Sequence, residues 1–213
     1  FKLLWRGELW AHVKWSQPGG VNARNAAMAA TAAGLAGDAA KPTGLKLYGL
    51  AKFRGVKRRQ EMLMQTARLT VIEDFGHHPT ALAETLHSFR ARFPGAALTA
   101  VFEPRSNTAR TKTLQAGFMR ALAQADEVYL GAVNRPDKLR EEDRFDGEAV
   151  VQQLETQGIE SHLAETNAAL LEKLIAHTLR DPKGKPRVVV FFTNGSFDGI
   201  IGRYVAAAKS GAS

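Results

Sequence analysis

The chain has 213 residues, 45% hydrophobic and 23% charged, with a formal net charge of +8. That make-up belongs to an ordinary globular chain with room for one large domain, or for a small one and a moderate one. Cysteine is absent, which excludes a disulfide framework, a thiolate metal site and a cysteine nucleophile, and suits a reducing compartment such as the cytoplasm. No apolar run approaches the length of a membrane span. The densest basic cluster, Lys52, Arg54, Lys57, Arg58 and Arg59, lacks the interleaved aromatics of a nucleic-acid groove, so neither a membrane nor a nucleic acid is expected as partner.

Phe1 to Trp15 predicts two short strands turning at Arg6-Gly7-Glu8, because Trp10 to Trp15 alternates apolar and polar residues. Pro18-Gly19-Gly20 breaks that pattern. The alanine-rich run Ala23 to Ala36 predicts a helix ending near Gly37, and Pro42-Thr43 predicts the start of a second helix reaching about Lys52. Phe53 to Arg59 is a basic loop. Phe1 is not a start methionine and Trp5 to Glu8 interrupts any signal-peptide core. The first 64 residues are therefore expected to be the end of a larger domain, with a second domain over residues 65–213.

From Leu69 the chain alternates. Strands are predicted at 69–72, 98–102, 127–130, 160–163 and 188–192, and helices at 80–92, 111–124, 147–157, 167–178 and 199–208. Such alternation implies an α/β fold: a mostly parallel, Rossmann-like sheet with helices on both faces. Val188 to Phe192 is apolar throughout, as a central parallel strand requires.

In a parallel sheet the loops leaving the carboxyl ends of the strands share one edge, where ligands bind. Four such loops carry chemistry: Glu73 to Thr80, Glu103 to Arg110, the charged segment 131–146, and Thr193 to Asp198. The spacing assembles Asp74, His77, His78, Arg105, Asn107, Asn194 and Ser196 around one crevice. Each has a plainer alternative. Asp74 suits a helix cap. His77 and His78 pair as metal ligands only if a third ligand joins them, and adjacent residues point apart. Arg105 is either a surface cation or a fork for a carboxylate or phosphate. Thr193 to Ser196 is either a turn or an anion-holding loop. No Gly-x-Ser-x-Gly elbow, His-Glu-x-x-His helix or Gly-rich lysine phosphate loop occurs.

Four strings together carry a resemblance: Gly20 to Asn25 (GVNARN), Phe53 to Glu61 (FRGVKRRQE), Glu73 to Thr80 (EDFGHHPT) and Phe102 to Thr108 (FEPRSNT). The chain resembles the Mur ligases, which use ATP and Mg2+ to join amino acids or peptides to UDP-N-acetylmuramate. The resemblance implies that residues 1–64 close a central ATP-binding domain and that 65–213 form the C-terminal domain. It implies that Asn22 contacts adenine, Arg59 the ATP phosphates and Asp74 the ribose hydroxyls. It places His77, His78, Arg105, Asn107, Asn194 and Ser196 beside the incoming amino substrate, with Arg105 on a carboxylate. Here the Asn-Pro-Arg triplet of the diaminopimelate-adding relative reads Glu-Pro-Arg, and Val21 stands where histidine is common in the family.

The implied reaction phosphorylates the lactyl carboxylate of UDP-N-acetylmuramate, after which an amine attacks the acyl phosphate. The FEPRSNT loop points to the branch that adds the murein tripeptide L-alanyl-γ-D-glutamyl-meso-diaminopimelate in peptidoglycan recycling. The alternatives are the L-alanine-adding branch and a non-catalytic nucleotide- or peptide-binding module. No catalytic residue and no metal ligand is expected within these 213 residues, since the phosphate loop and the magnesium ligands belong to sequence upstream.

Overall fold

A computed structural model describes the chain except residues 16, 18, 135, 181–183 and 212–213. Pro18, expected to end the second strand, lies outside the described residues. The chain divides into two compact units, Phe1–Val56 and Lys57–Ser213.

In the first unit, β1 (Lys2–Trp5) and β2 (Glu8–His12) form an antiparallel hairpin. The turn works because Arg6 and Gly7 both take positive φ, 50° and 89°, as a tight hairpin demands. Helix α1 (Gly19–Gly37) buries Ala26, Ala30 and Gly34, a stripe at four-residue spacing whose small side chains admit close neighbours. The expected helix over 42–52 is not continuous. Pro42–Gly44 makes a 3-10 turn, Leu45 is extended at ψ 123°, and only α2 (Tyr48–Lys52) is helical. Glycines at 44 and 49 weaken a continuous helix by roughly 1 kcal/mol each.

The second unit is built on a six-stranded sheet. Its strands are β3 (Glu61–Gln65), β4 (Leu69–Asp74), β5 (Ala97–Phe102), β6 (Glu127–Leu130), β7 (Glu160–Leu163) and β8 (Arg187–Phe192), in spatial order β3-β4-β8-β5-β6-β7. Only β3 runs antiparallel, on the β4 edge. This edge strand was not foreseen from the sequence. It straddles residue 64, and the break between compact units falls earlier, after Val56.

Helices α3 (Pro79–Arg92), α4 (Gln115–Leu122) and α5 (Gly147–Thr156) cover one face, and α6 (Asn167–Ile175) and α7 (Ile200–Ser210) the other. The strand residues divide by alternation. Ile72, Leu98, Ala100, Phe102, Val190 and Phe192 face the first layer. Val71, Val101, Tyr129, Val189 and Phe191 face the second, as a two-residue period dictates. On α3, Leu82, Leu86 and Phe89 are buried at i, i+4 and i+7, each contributing about 1.5–3 kcal/mol by leaving water. The helix expected over 111–124 is shorter, a 3-10 turn at Lys112–Leu114 leading into α4. The helix expected to reach residue 178 changes pitch, with α6 giving way to a π-helical turn at Ala176–Arg180.

The chain winds outward from β4 through β5 and β6 to β7, then returns through α6 to insert β8 between β4 and β5. The loops after β4, β8 and β5 therefore leave three adjacent strands at one edge, which is where an open α/β sheet forms its ligand crevice.

Candidate functional site

Asp74 ends β4 and is 5% exposed. Its Oδ1 accepts the Gly76 N–H at 2.7 Å and its Oδ2 the Gln60 N–H at 2.9 Å. Burial pushes its carboxyl above the ordinary value, and those two N–H groups and Arg59 only partly oppose the rise. Gly76 has no room for a side chain, since a Cβ there would lie 2.7 Å from Asp74 Oδ1 and 3.3 Å from Phe192. Asp74 does not cap α3. His78 does, in extended conformation, with its Nδ1 accepting the Thr80 N–H at 3.3 Å, and Pro79 fills the first turn, where no N–H is needed. His78 is otherwise exposed. His77 is half-buried, its Nδ1 3.0 Å from the Phe75 carbonyl. The two imidazoles serve the loop separately, and among the described residues they join no three-ligand group.

The loop after β8 meets the loop after β5 through Thr193. Its hydroxyl donates to the Glu103 carboxylate and accepts the Gly195 N–H at 2.9 Å. Glu103 is 2% exposed. Burial lifts its carboxyl above the usual range, against the pull of Thr193 and Arg105. Arg105 is partly exposed, its Nη1 3.6 Å from Glu103 Oε1. Its side chain packs against Gly195, where an added Cβ would clash with Arg105 Nε, Cδ and Cζ. Glycine at 195 is thus what lets the arginine lie there.

Arg58 completes the connection. At φ 60°, it donates from Nε to Glu73 Oε1 at 2.6 Å and from Nη2 to the carbonyls of Thr193 at 3.0 Å and Gly195 at 2.5 Å. It also lies 5.1 Å over the Phe75 ring, while Arg59, exposed, lies 5.0 Å over the same ring.

The structure therefore brings Asp74, His77, His78, Arg105 and Asn194 to one edge, with Asn107 and Ser196 exposed on the same loops. The Asn107 side chain accepts from Arg110 at 3.2 Å. The Asn194 side-chain oxygen is buried without a hydrogen-bond partner. Asn22 lies on α1 in the first unit. At the carboxyl ends of β6 and β7 an open groove of about 1140 Å³ is lined by Lys112, Gly131, Glu141, Arg144, Asp146 and Glu165 among others. Arg58, Glu103, Thr193 and Gly195 were missed as site residues. The Glu-Pro-Arg triplet and the Gly after Asn194 were visible signals for two of them, but nothing local marked Arg58.

The crevice offers an exposed guanidinium at Arg59 and a partly exposed one at Arg105, the planar fork that suits phosphate and carboxylate. Its two buried acids, Asp74 and Glu103, accept from backbone N–H and hydroxyl groups. Such a constellation suits the chemistry of an anionic ligand.

The family profile described as Mur ligase, glutamate ligase domain, matches residues 58–195. The chain belongs to the Mur ligase family. It is 38% identical over 130 residues to the UDP-N-acetylmuramate–L-alanine ligase of Oleidesulfovibrio alaskensis, a match covering 61% of this chain and 28% of that protein. Against the UDP-N-acetylmuramate–L-alanyl-γ-D-glutamyl-meso-2,6-diaminoheptanedioate ligase of Escherichia coli K12 it is 37% identical over 131 residues, again 61% and 28%. The chain thus matches little more than a quarter of these relatives' length. Among solved structures, the murein peptide ligase of Psychrobacter arcticus 273-4 superposes with a TM-score of 0.65 at 25% identity, over 92% of this chain and 38% of that one. The UDP-N-acetylmuramate–alanine ligase of Thermotoga maritima gives a TM-score of 0.72 at 22% identity, over 96% and 41%, a likeness of fold. The Mur ligase expectation and the mostly parallel α/β fold both hold.

Proposed function

We propose that this chain is the substrate-closing part of a ligase that joins the tripeptide L-alanyl-γ-D-glutamyl-meso-diaminopimelate to UDP-N-acetylmuramate. The observation that carries the reading is Arg105. It sits in the Phe102-Glu103-Pro104-Arg105-Ser106-Asn107-Thr108 loop, packed against Gly195 and paired with the buried Glu103. A guanidinium so held offers a fixed fork to a peptide carboxylate. Asn107, Asn194, Ser196, His77 and His78 lie on the loops of the same sheet edge, and in this reading they position the peptide. Residues 1–64 are, in this reading, the end of the central ATP-binding domain and 65–213 the C-terminal domain.

ATP is the nucleotide. Arg59, exposed and 5.0 Å over the Phe75 ring, suits its phosphates. The Asp74 carboxylate has capacity for about four hydrogen bonds, two of which are filled, leaving acceptor capacity for ribose hydroxyls. Asn22 is assigned to adenine. A structural neighbour, the folylpolyglutamate synthase of Mycobacterium tuberculosis, was solved with ADP and AMPPCP. Mg2+ accompanies the nucleotide, with its ligands outside this chain. The contribution of these residues is to hold the attacking amine in line and exclude water, worth several kcal/mol of barrier without covalent chemistry.

A second reading is ligation of L-alanine, favoured by the 38% identity to an alanine-adding ligase. Ligation assays of the full-length protein with UDP-N-acetylmuramate and either tripeptide or L-alanine separate the two. Product with the tripeptide is expected; product with L-alanine alone overturns the first reading in favour of the second.

A further inference from the structure

On the α6 side of the sheet, away from the loop crevice, the edge strand β7 carries Glu160 and His162 two residues apart and so on one face. His162 pairs in register with Tyr129 of β6. The π-helical turn that follows α6 brings His177 over the same spot, with ring centroids 4.7 Å from His162 and 6.3 Å from Tyr129. We propose that Glu160, His162 and His177 form a binding site for a divalent transition metal, with Zn2+ as the fitting ion.

One ligand atom from each of the three lies within 4.8 Å of the others. His162 Nε2 and Glu160 Oε1 are 3.3 Å apart. That is the edge of a tetrahedron whose metal–ligand bonds are about 2.0 Å long, the zinc–imidazole and zinc–carboxylate distance. His177 supplies the third ligand atom, within 4.8 Å of the other two. Tyr129, wholly buried, has its hydroxyl 3.0 Å from His177 Nδ1. With Nδ1–H donating to that oxygen, the Nε2 lone pair is left for a metal, the second-sphere arrangement typical of zinc-bound histidine.

The π turn is a second, independent feature. Such turns are rare and concentrate at functional positions, and this one is held by Thr178, whose hydroxyl bonds the Leu174 carbonyl at 2.6 Å and the Tyr204 hydroxyl at 2.7 Å. Two imidazoles and one carboxylate match zinc rather than Mg2+, which prefers six oxygens. The Glu160 side chain is 41% exposed, which leaves a path for the ion and a fourth position for water. The site is independent of the ligase reading, since it shares no residue with the crevice.

The test is titration of the 213-residue chain with Zn2+ against a chromophoric chelator, and with Co2+ followed by its visible d–d bands. One equivalent is expected to bind, with the intense bands of four-coordinate Co2+. His162→Ala and His177→Ala each remove that equivalent, and Tyr129→Phe weakens it about tenfold, the usual effect of losing a second-sphere partner. His77→Ala/His78→Ala leaves it intact. Circular dichroism confirms that each variant is folded; if His162→Ala does not fold, Glu160→Gln, on the exposed edge, replaces it and is expected to weaken binding in the same direction. No binding at one equivalent, or binding that survives in the His162 and His177 variants, or that is lost only in the His77/His78 variant, overturns the proposal.

Discussion

Arg105 and Gly195 are in such close contact that a single methyl group at 195 would lie 2.1 Å from the arginine Nε. Neither loop holds the arginine alone. The β5 loop supplies it, and the β8 loop supplies a backbone bare enough to receive it. Gly195→Ala is therefore expected to push Arg105 out of place. Overpacking of this kind costs about 1–3 kcal/mol, read as a fall in the denaturant midpoint. In the full-length enzyme, KM for the peptide rises while KM for ATP stays within about twofold, because Arg59 and Asp74 are on other loops. Equal changes in both would contradict the assignment.

Arg58 ties the approach to β3 to the β8 loop across 135 and 137 positions of sequence. Arg58→Ala leaves two carbonyls and Glu73 without their cation. Charge-assisted hydrogen bonds contribute about 1.5–3 kcal/mol each when buried. With the side chain 32% exposed, screening reduces the total loss to about 2 kcal/mol. Arg59→Ala, one residue on and exposed, changes stability by less than about 0.5 kcal/mol. Urea unfolding of the two variants side by side checks the contrast.

Glu103 gives a pH signature. Its folded carboxyl titrates above the unfolded value, so its contribution to stability is full below the unfolded pKa of about 4.3 and is lost as pH rises through the folded pKa. Glu103→Gln removes that titration and keeps an acceptor for the Thr193 hydroxyl. The variant is expected to gain on the wild type as pH is raised from about 4 to about 8. A stability difference constant across that range would contradict the buried-carboxyl account.

At the opposite end of the sheet Arg187 and Glu127, 5% and 4% exposed, pair at 2.5 Å, and Arg187 also donates to Thr99 at 2.6 Å. Removing one partner strands a buried charge, which costs about 3–5 kcal/mol, whereas replacing both with apolar residues is often close to neutral. Glu127→Ala is accordingly expected to be far more destabilising than Glu127→Leu with Arg187→Met, measured by chemical denaturation.

The strands of the parallel sheet were legible because each carries its own signal. Glu127–Leu130 and Glu160–Leu163 occur at the expected residues, and β8 is buried at every position. The edge strand β3 was not, since Glu-Met-Leu-Met-Gln has little strand propensity and becomes extended only by pairing with β4. The crevice was legible as loops but not as contacts. Topology alone placed Asp74, Arg105 and Asn194 on one edge, whereas the role of Arg58 depends on a left-handed backbone and on carbonyls far along the chain. The sequence did not mark His78 as the cap of α3; it caps because a residue preceding Pro79 is pushed to extended backbone and its imidazole then meets the Thr80 N–H. The pitch change after α6 has no local sequence mark, since Ala176 to Arg180 has ordinary helix propensity.

The central claim is that Arg105 holds the carboxylate of the incoming peptide. Steady-state kinetics of Arg105→Ala and Arg105→Lys in the full-length protein, with tripeptide and ATP varied in turn, test it most directly. The expected result is a rise of tenfold or more in tripeptide KM, on the order of the 1.4 kcal/mol or more that a charge-assisted pair supplies, with ATP KM unchanged and lysine failing to rescue because it lacks the planar fork. A tripeptide KM unchanged in both variants would contradict the account.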